Sequence, residues 1–340
     1  MPRNVQSHSH ARRLAVTAPT IQTILAPIAA DMQLVDAAIR DNLASEVSLI
    51  NSISGYIITA GGKRLRPALL LLMAQAHGHD GPHRHALAAV VELIHTATLL
   101  HDDVVDESEL RRGRQTSNAA YGNAASVLSG DFLYSRSFQM MVAAGELRIL
   151  RILADATNVI AEGEVLQLMN MHDPDITADQ YMRVIHDKTA ALFEAAARIG
   201  AVLAGCDAAA EEGAAGYGRS IGLAFQLIDD ALDYNGNAEE MGKNVGDDLR
   251  EGKPTLPLIV AMQRAQGEQR ELIQRAIREG DTDSLPRILE VVRSCEALDE
   301  VYAVARTELN KARGLAQAMP AGPWRDSLLA LCDYSLQRNA

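Results

Sequence analysis

Aromatic residues are scarce in this chain, 4% of its 340 residues against 48% hydrophobic overall, so the apolar content is largely Ala and Leu. That composition disfavours strands, which draw on aromatic and β-branched side chains, and favours helices. An all-α protein is expected. Cysteine is scarce too: Cys206, Cys295 and Cys332 are odd in number, scattered and without metal-ligand spacing. A reducing compartment with free thiols follows as the expectation. Long apolar runs are missing. The longest, ALLLLMA from Ala68 to Ala74, falls far short of the roughly 20 residues of a spanning helix, so a soluble, cytoplasmic protein is expected. A basic excess is missing as well. The formal net charge of −12 argues against nucleic acid as a partner, because phosphate-backbone binding favours a basic surface. No Pro/Gly/Ser linker or low-complexity stretch marks a seam, and residues 21–340 read as one domain after a disordered tail at 1–20. The first 30 residues lack Asp and Glu and carry Arg3, Arg12 and Arg13. This faintly resembles an organelle-targeting segment, but the amphipathic pattern is poor and there is no secretory h-region.

What the chain does have is apolar periodicity of the helical kind. It runs through IQTILAPIAADMQLVDAAI, LASEVSLINSISGYII, ALLLLMAQA and ALAAVVELIHTATLL, and later through AASVLSGDFLYSRSFQMMVAAG, DQYMRVIHDKTAALFEAAARIGAVLAG and GYGRSIGLAFQLIDDALDY. Breaks fall at Gly61-Gly62, at HGHDGPHRH and at the polar stretch ESELRRGRQTSN. No strand or hairpin signature has comparable support. The segment NGNAEEMGKNVGDDLREGKP is long, rich in Gly and Asn, and carries Lys243 and Lys253. A loop of that kind beside an acidic cluster reads as a lid over an anionic ligand.

Two Asp-Asp-x-x-Asp clusters, Asp102, Asp103 and Asp106 and then Asp229, Asp230 and Asp233, each close an apolar run. Carboxylates at i and i+4 of a helix share a face and repel by roughly 0.2 to 0.5 kcal/mol per pair. Carboxylates with no softer ligand beside them select hard cations, and Mg2+ keeps waters and bridges carboxylates to phosphate. Two walls of a metal-diphosphate site are the implication. In GGKRLRP, Lys63, Arg64 and Arg66 are expected on the first turn of a helix, where cations oppose the dipole unless an anion binds. A solvated basic turn fits that motif equally well. Arg111 and Arg112 follow the first cluster, and Arg forks suit a permanently anionic substrate. Lys188-Thr189 places a cation and a hydroxyl on an otherwise apolar helix, and Gln226 lies one turn before Asp229. His95, two turns before Asp102, is a core histidine or an anion ligand. His77, His79, His83 and His85 share a Gly/Pro turn without structured spacing, and no zinc site is assigned to them.

Taken in order, GGKRLRP, LLHDDVVDESELRRG, GDFLYSRSFQMM, KTAALFEAA and FQLIDDALDY with GKNVGDDLREGKPTLP resemble the trans-isoprenyl diphosphate synthases, in particular their bacterial octaprenyl branch. The resemblance runs from about residue 30 to the C-terminus. It implies a single-domain helical bundle around a central substrate cavity and a homodimer. It also implies Mg2+-dependent head-to-tail addition of isopentenyl diphosphate to an allylic diphosphate such as farnesyl or geranylgeranyl diphosphate. Octaprenyl diphosphate for a ubiquinone side chain is the product expected, with solanesyl or decaprenyl diphosphate next, and peripheral membrane contact would serve product release.

By the same resemblance, Asp102, Asp106 and Asp229 hold the metal ions, with Asp103, Asp230 and Asp233 in support. Arg111, Lys188, Gln226 and Lys243 contact the allylic diphosphate, and Lys63, Arg66, His95 and Arg112 hold isopentenyl diphosphate. Lys253 and Arg338 help close the site, while Thr189 and Gln226 stabilise a carbocation through their oxygen dipoles. Chain length falls to Ala97 and Thr98, about 6 to 8 Å down the helix from Asp102 at 1.5 Å per residue, with Phe138 and Met141 as floor. One departure is the run Gly113-Arg114-Gln115-Thr116 where relatives carry Lys-Pro-Thr or a similar sequence. A terpene cyclase would not need the GGKRLRP site, and a non-catalytic partner subunit would be expected to lose members of the constellation.

Overall fold

The structure, a computed structural model, describes residues 20–59, 61–111, 113–235 and 245–337. The chain begins with α1 (Ile21–Ile24), a 3-10 turn, α2 (Ala29–Leu43), α3 (Ser48–Thr59), α4 (Leu65–Ala76) and α5 (Arg84–Val105). A two-residue hairpin, β1 (Leu110–Arg111) with β2 (Arg114–Gln115), leads to α6 (Ser117–Tyr121), α7 (Asn123–Ala144) and α8 (Leu147–Asn170). Next come α9 (Ala178–Ile185), a π-turn at His186–Ala190, α10 (Ala191–Leu203) and α11 (Ala208–Asn235). The chain ends with α12 (Asp247–Arg250), α13 (Leu256–Arg264), α14 (Glu268–Glu279), α15 (Leu285–Ser294), α16 (Ala297–Gln317) and α17 (Pro323–Gln337). The all-α architecture expected from composition is the one observed.

Ala and Gly in place of aromatics let the helices approach closely. A Cβ on Gly200 of α10 would come within 2.6 Å of the Leu70 carbonyl on α4, and one on Gly218 of α11 within 2.4 Å of the Phe193 carbonyl on α10. Helix α4, apolar on every side from Ala68 to Ala74, is buried, as a helix with no polar face must be. It packs on α10, which packs on α11, which packs on α16, while α5 lies against α7. The apolar core runs through all of them, from Ile24 to Cys332. Polar ties close its ends: Tyr217 donates to the Leu328 carbonyl at 2.6 Å and Ser327 to the Ile24 carbonyl at 2.6 Å.

Three local expectations are corrected. The polar stretch after the first acidic cluster is a small antiparallel hairpin with Leu110 opposite Gln115; Gly113 at φ 72° supplies the left-handed turn that closes it. In GGKRLRP the helix starts only at Leu65, so Lys63 and Arg64 precede it and Arg66 alone of the three lies on its first turn. Pro67 suits a first turn, where its missing N–H is no loss. Arg64, in the left-handed region at φ 50°, turns back to pair with Glu92 at 2.7 Å and Asp36 at 3.7 Å. Finally, the periodicity around Lys188 is not simple α-helix: five residues there form a π-turn, a local widening that is frequent at functional sites.

Candidate active site

Both acidic clusters stand at helix C-termini. Asp102 and Asp103 fall in the last turn of α5 with Asp106 as its cap, and Asp229, Asp230 and Asp233 fall in the last two turns of α11. A helix ends on its negative pole, so the carboxylates in the last turn, Asp102 and Asp103 on α5 and Asp233 on α11, are each disfavoured by about 0.3 to 1 kcal/mol before their neighbours are counted. The two ends line a cavity of about 900 Å³, whose wall includes Asp102 and Asp106 on one side and Asp229, Asp230 and Asp233 on the other.

Side-chain direction sorts the clusters further. Asp102 and Asp106, four apart, share the cavity face. Asp103 points elsewhere: it is buried, absent from that wall, and takes the Arg111 Nε at 2.8 Å and Nη2 at 2.7 Å. It anchors Arg111. Asp230 likewise spends both oxygens within the protein, on the Tyr181 hydroxyl at 2.6 Å and the Gln226 amide at 2.7 Å. Asp233 accepts from the Asp248 backbone N–H at 3.2 Å and so ties the segment after α11 to the site.

The cations sit against these walls. Lys188 Nζ lies 2.6 Å from Glu164, 2.8 Å from Gln167 and 3.4 Å from Asp102. Lys253 Nζ lies 2.8 Å from Asp106 and 2.6 Å from Glu251. Arg66 is stacked 4.4 Å over the Phe193 ring, its Nε buried without a partner, and burial lowers its pKa to about 10 against the pull of Glu92 and Asp229. A buried donor left unmatched costs about 1 to 3 kcal/mol, which an anion would recover. Lys63, His95 and Thr98 line the same cavity. Lys243, Arg112 and Arg338 lie outside the described residues.

The donors fit a hard divalent cation, since they are all carboxylate oxygens. Burial and Asp102, opposed by Lys188, raise the Glu164 carboxyl to about 7, and burial with Asp248 does the same for Asp230. Such groups gain from an added positive charge. Among the described residues no group of three or more His, Cys, Asp or Glu is placed to hold a metal by itself.

The π-turn sets Lys188 and Thr189. It is wedged between Gly163 on α8, where a Cβ would come within 2.7 Å of the Lys188 backbone nitrogen, and Gly222 on α11, where one would come within 2.7 Å of Ala190 Cα. Thr189 then donates its hydroxyl to Gln226 at 2.9 Å. The chain-length candidates divide. Thr98 faces the cavity, whereas Ala97 and Met141 are buried in the helix packing. Phe138 is 41% exposed on α7 and is not among the residues that line the cavity.

Glu92, Glu164, Gln167, Tyr181 and Glu251 belong to the site and were not singled out from the sequence. The legible signals were an acid inside an apolar helical run three residues before His95, a Glu and a Gln three apart on α8, and an acid two residues before Lys253.

The polyprenyl synthetase family matches residues 47–293. The chain is 54% identical over 312 residues to the octaprenyl diphosphate synthase of Escherichia coli strain K12, covering 92% of this chain and 97% of that one. It is 46% identical to an all-trans-nonaprenyl-diphosphate synthase, geranyl-diphosphate specific, of Rhodobacter capsulatus, covering 93% and 98%. Among solved structures, a polyprenyl synthase from Caulobacter crescentus CB15, complexed with calcium and isoprenyl diphosphate, superposes with a TM-score of 0.91 at 46% identity, covering 95% of this chain and 99% of that one. With its acidic walls, its basic cradle and likeness over nearly its whole length pointing the same way, the chain belongs to the polyprenyl synthetase family.

Proposed function

We propose that the protein adds isopentenyl diphosphate head to tail onto an allylic diphosphate, farnesyl diphosphate being the expected primer, to make all-trans octaprenyl diphosphate for a quinone side chain of the ubiquinone type. The observation that carries this reading is the cavity itself: two carboxylate walls with Lys188 and Lys253 paired to them, and the unmatched Arg66 donor at one end.

Mg2+, held by Asp102, Asp106 and Asp229, would neutralise charge on the departing diphosphate. Lys188 and Lys253, released from the carboxylates they now pair with, would bind that diphosphate as its allylic C–O bond breaks and the electron pair leaves with oxygen. Lys63, Arg66 and His95 would hold isopentenyl diphosphate so that its double bond meets the carbon left positive. The new C–C bond forms, one proton is lost to the released diphosphate, and an alkene is restored. No side-chain nucleophile is needed. The small Thr98 on the cavity wall leaves room for a growing chain, and the octaprenyl and nonaprenyl relatives favour a long product.

A homodimer is part of the reading. Leu128, Phe138 and Val142 on α7 and Leu147, Val165, Leu168 and Met169 on α8 are exposed, a concentration of apolar surface that marks interaction sites. Among the described residues no helix is long and apolar enough to cross a membrane; contact with a lipid surface would be peripheral and would serve product release. The test is incubation with farnesyl diphosphate, labelled isopentenyl diphosphate and Mg2+, with chromatography of the dephosphorylated products. A dominant C40 alcohol is expected, shortened in Thr98→Phe. C45 or C50 would keep the reaction and move the floor, and no product with any allylic primer would overturn the reading.

A further inference from the structure

Tyr181 is 4% exposed and lines the cavity from α9. Its hydroxyl donates to Asp230 Oδ2 at 2.6 Å, the other Asp230 oxygen accepts the Gln226 amide nitrogen at 2.7 Å, and the Gln226 amide oxygen accepts the Thr189 hydroxyl at 2.9 Å. The chain joins α9, the π-turn and α11, and all four side chains lie on the cavity wall.

We infer that Tyr181 and Asp230 are positioning residues that fix the orientation of the Gln226 amide, so that its oxygen and that of Thr189 face the carbon that becomes positive. The inference rests on the allylic transfer proposed above. The two ends of a primary amide are nearly identical in shape, and only their partners decide which way round it sits. Asp230 accepts on both oxygens, from the Tyr181 hydroxyl on Oδ2 and from the Gln226 amide on Oδ1. With Oδ2 committed to the tyrosine, Oδ1 is held toward Gln226 and takes its NH2, which leaves the amide oxygen on the far side. A reversed amide would set oxygen against carboxylate and aim an N–H at the site, where the positive end of a dipole opposes a developing cation. Tyr181 can serve this end because it supplies one hydrogen and adds no charge. Asp230 thus differs from Asp229: its two oxygens are spent on orientation.

Tyr181→Phe removes the donor and keeps the ring. Its kcat is expected to fall about tenfold with KM for both diphosphates within about twofold of wild type, and its Tm to stay within about 3 °C. Equilibrium binding of an allylic thiolodiphosphate, which binds without ionising, is expected to be unchanged. In an Asp230→Asn background the same substitution should cost no more than about a further twofold, because the chain is already cut. Wild-type kcat in Tyr181→Phe overturns the inference, as do losses that multiply in the double variant or a matching loss of analogue affinity. Should Tyr181→Phe not fold, Asp230→Asn alone reads the same chain, with wild-type kcat overturning it. Wild type is assayed alongside, so its own failure to transfer would count against the proposed reaction and not against this chain.

Discussion

Burial raises the carboxyls of Glu164 and Asp230 to about 7 in the folded protein, Asp102 adding to the first and Asp248 to the second. In an unfolded chain both titrate near their ordinary values of about 4. Between those limits the folded state holds protons that the unfolded state has lost. The stability contributed by these groups is complete below the unfolded values and is lost as pH rises through about 7. Metal-free protein should therefore melt at lower temperature at about pH 8 than at about pH 6, with a shallower dependence in Glu164→Gln; a Tm that rises over that interval would contradict the assignment. The residue scale also shows what spacing alone reveals. Asp102 and Asp106 were legible as a pair because i and i+4 share a helix face. That Asp103, one residue along, turns away to Arg111 depends on what packs beside α5, and the same holds for Arg64, whose partners Glu92 and Asp36 lie on other helices.

At the scale of elements, the π-turn decides how Lys188 and Thr189 enter the cavity, and Gly163 decides whether the π-turn fits. Gly163→Ala would force a Cβ to within 2.7 Å of the Lys188 backbone nitrogen. Such overpacking costs about 1 to 3 kcal/mol, visible in denaturant unfolding, and turnover should fall with it. Gly213 on α11 is the contrast, because an added Cβ there meets nothing within 4 Å. Gly213→Ala should stabilise by about 0.5 to 1 kcal/mol and leave turnover intact. Equal effects at the two glycines would remove the π-turn from the account. Apolar periodicity located α9 to α11 correctly because it is set by which face is buried. One extra residue in a turn barely disturbs that pattern over a short window, so the π-turn was not legible. The hairpin at Leu110–Arg111 was missed for a related reason: two-residue strands are too short to show alternation.

For the whole molecule, the sequence pattern gave an all-helical chain with two acidic walls, and what it hid was how α7 and α8 share their apolar residues between core and surface. Leu128 and Val142 are each 66% exposed, and the pattern of α7 alone does not say that its outer side lacks a cover. If a second copy covers it, Leu128→Glu with Val142→Glu should convert the protein to a monomer in sedimentation equilibrium. A wild-type protein that is already monomeric would discard the homodimer. The central claim, that carboxylates from α5 and α11 together hold the divalent metal of a diphosphate transfer, is tested most directly by the Mg2+ dependence of turnover in wild type, Asp102→Asn and Asp229→Asn. Each variant is predicted to lose about 10²- to 10³-fold in kcat and to need more Mg2+ for half its remaining activity. Wild-type turnover and Mg2+ requirement in either one would contradict the account.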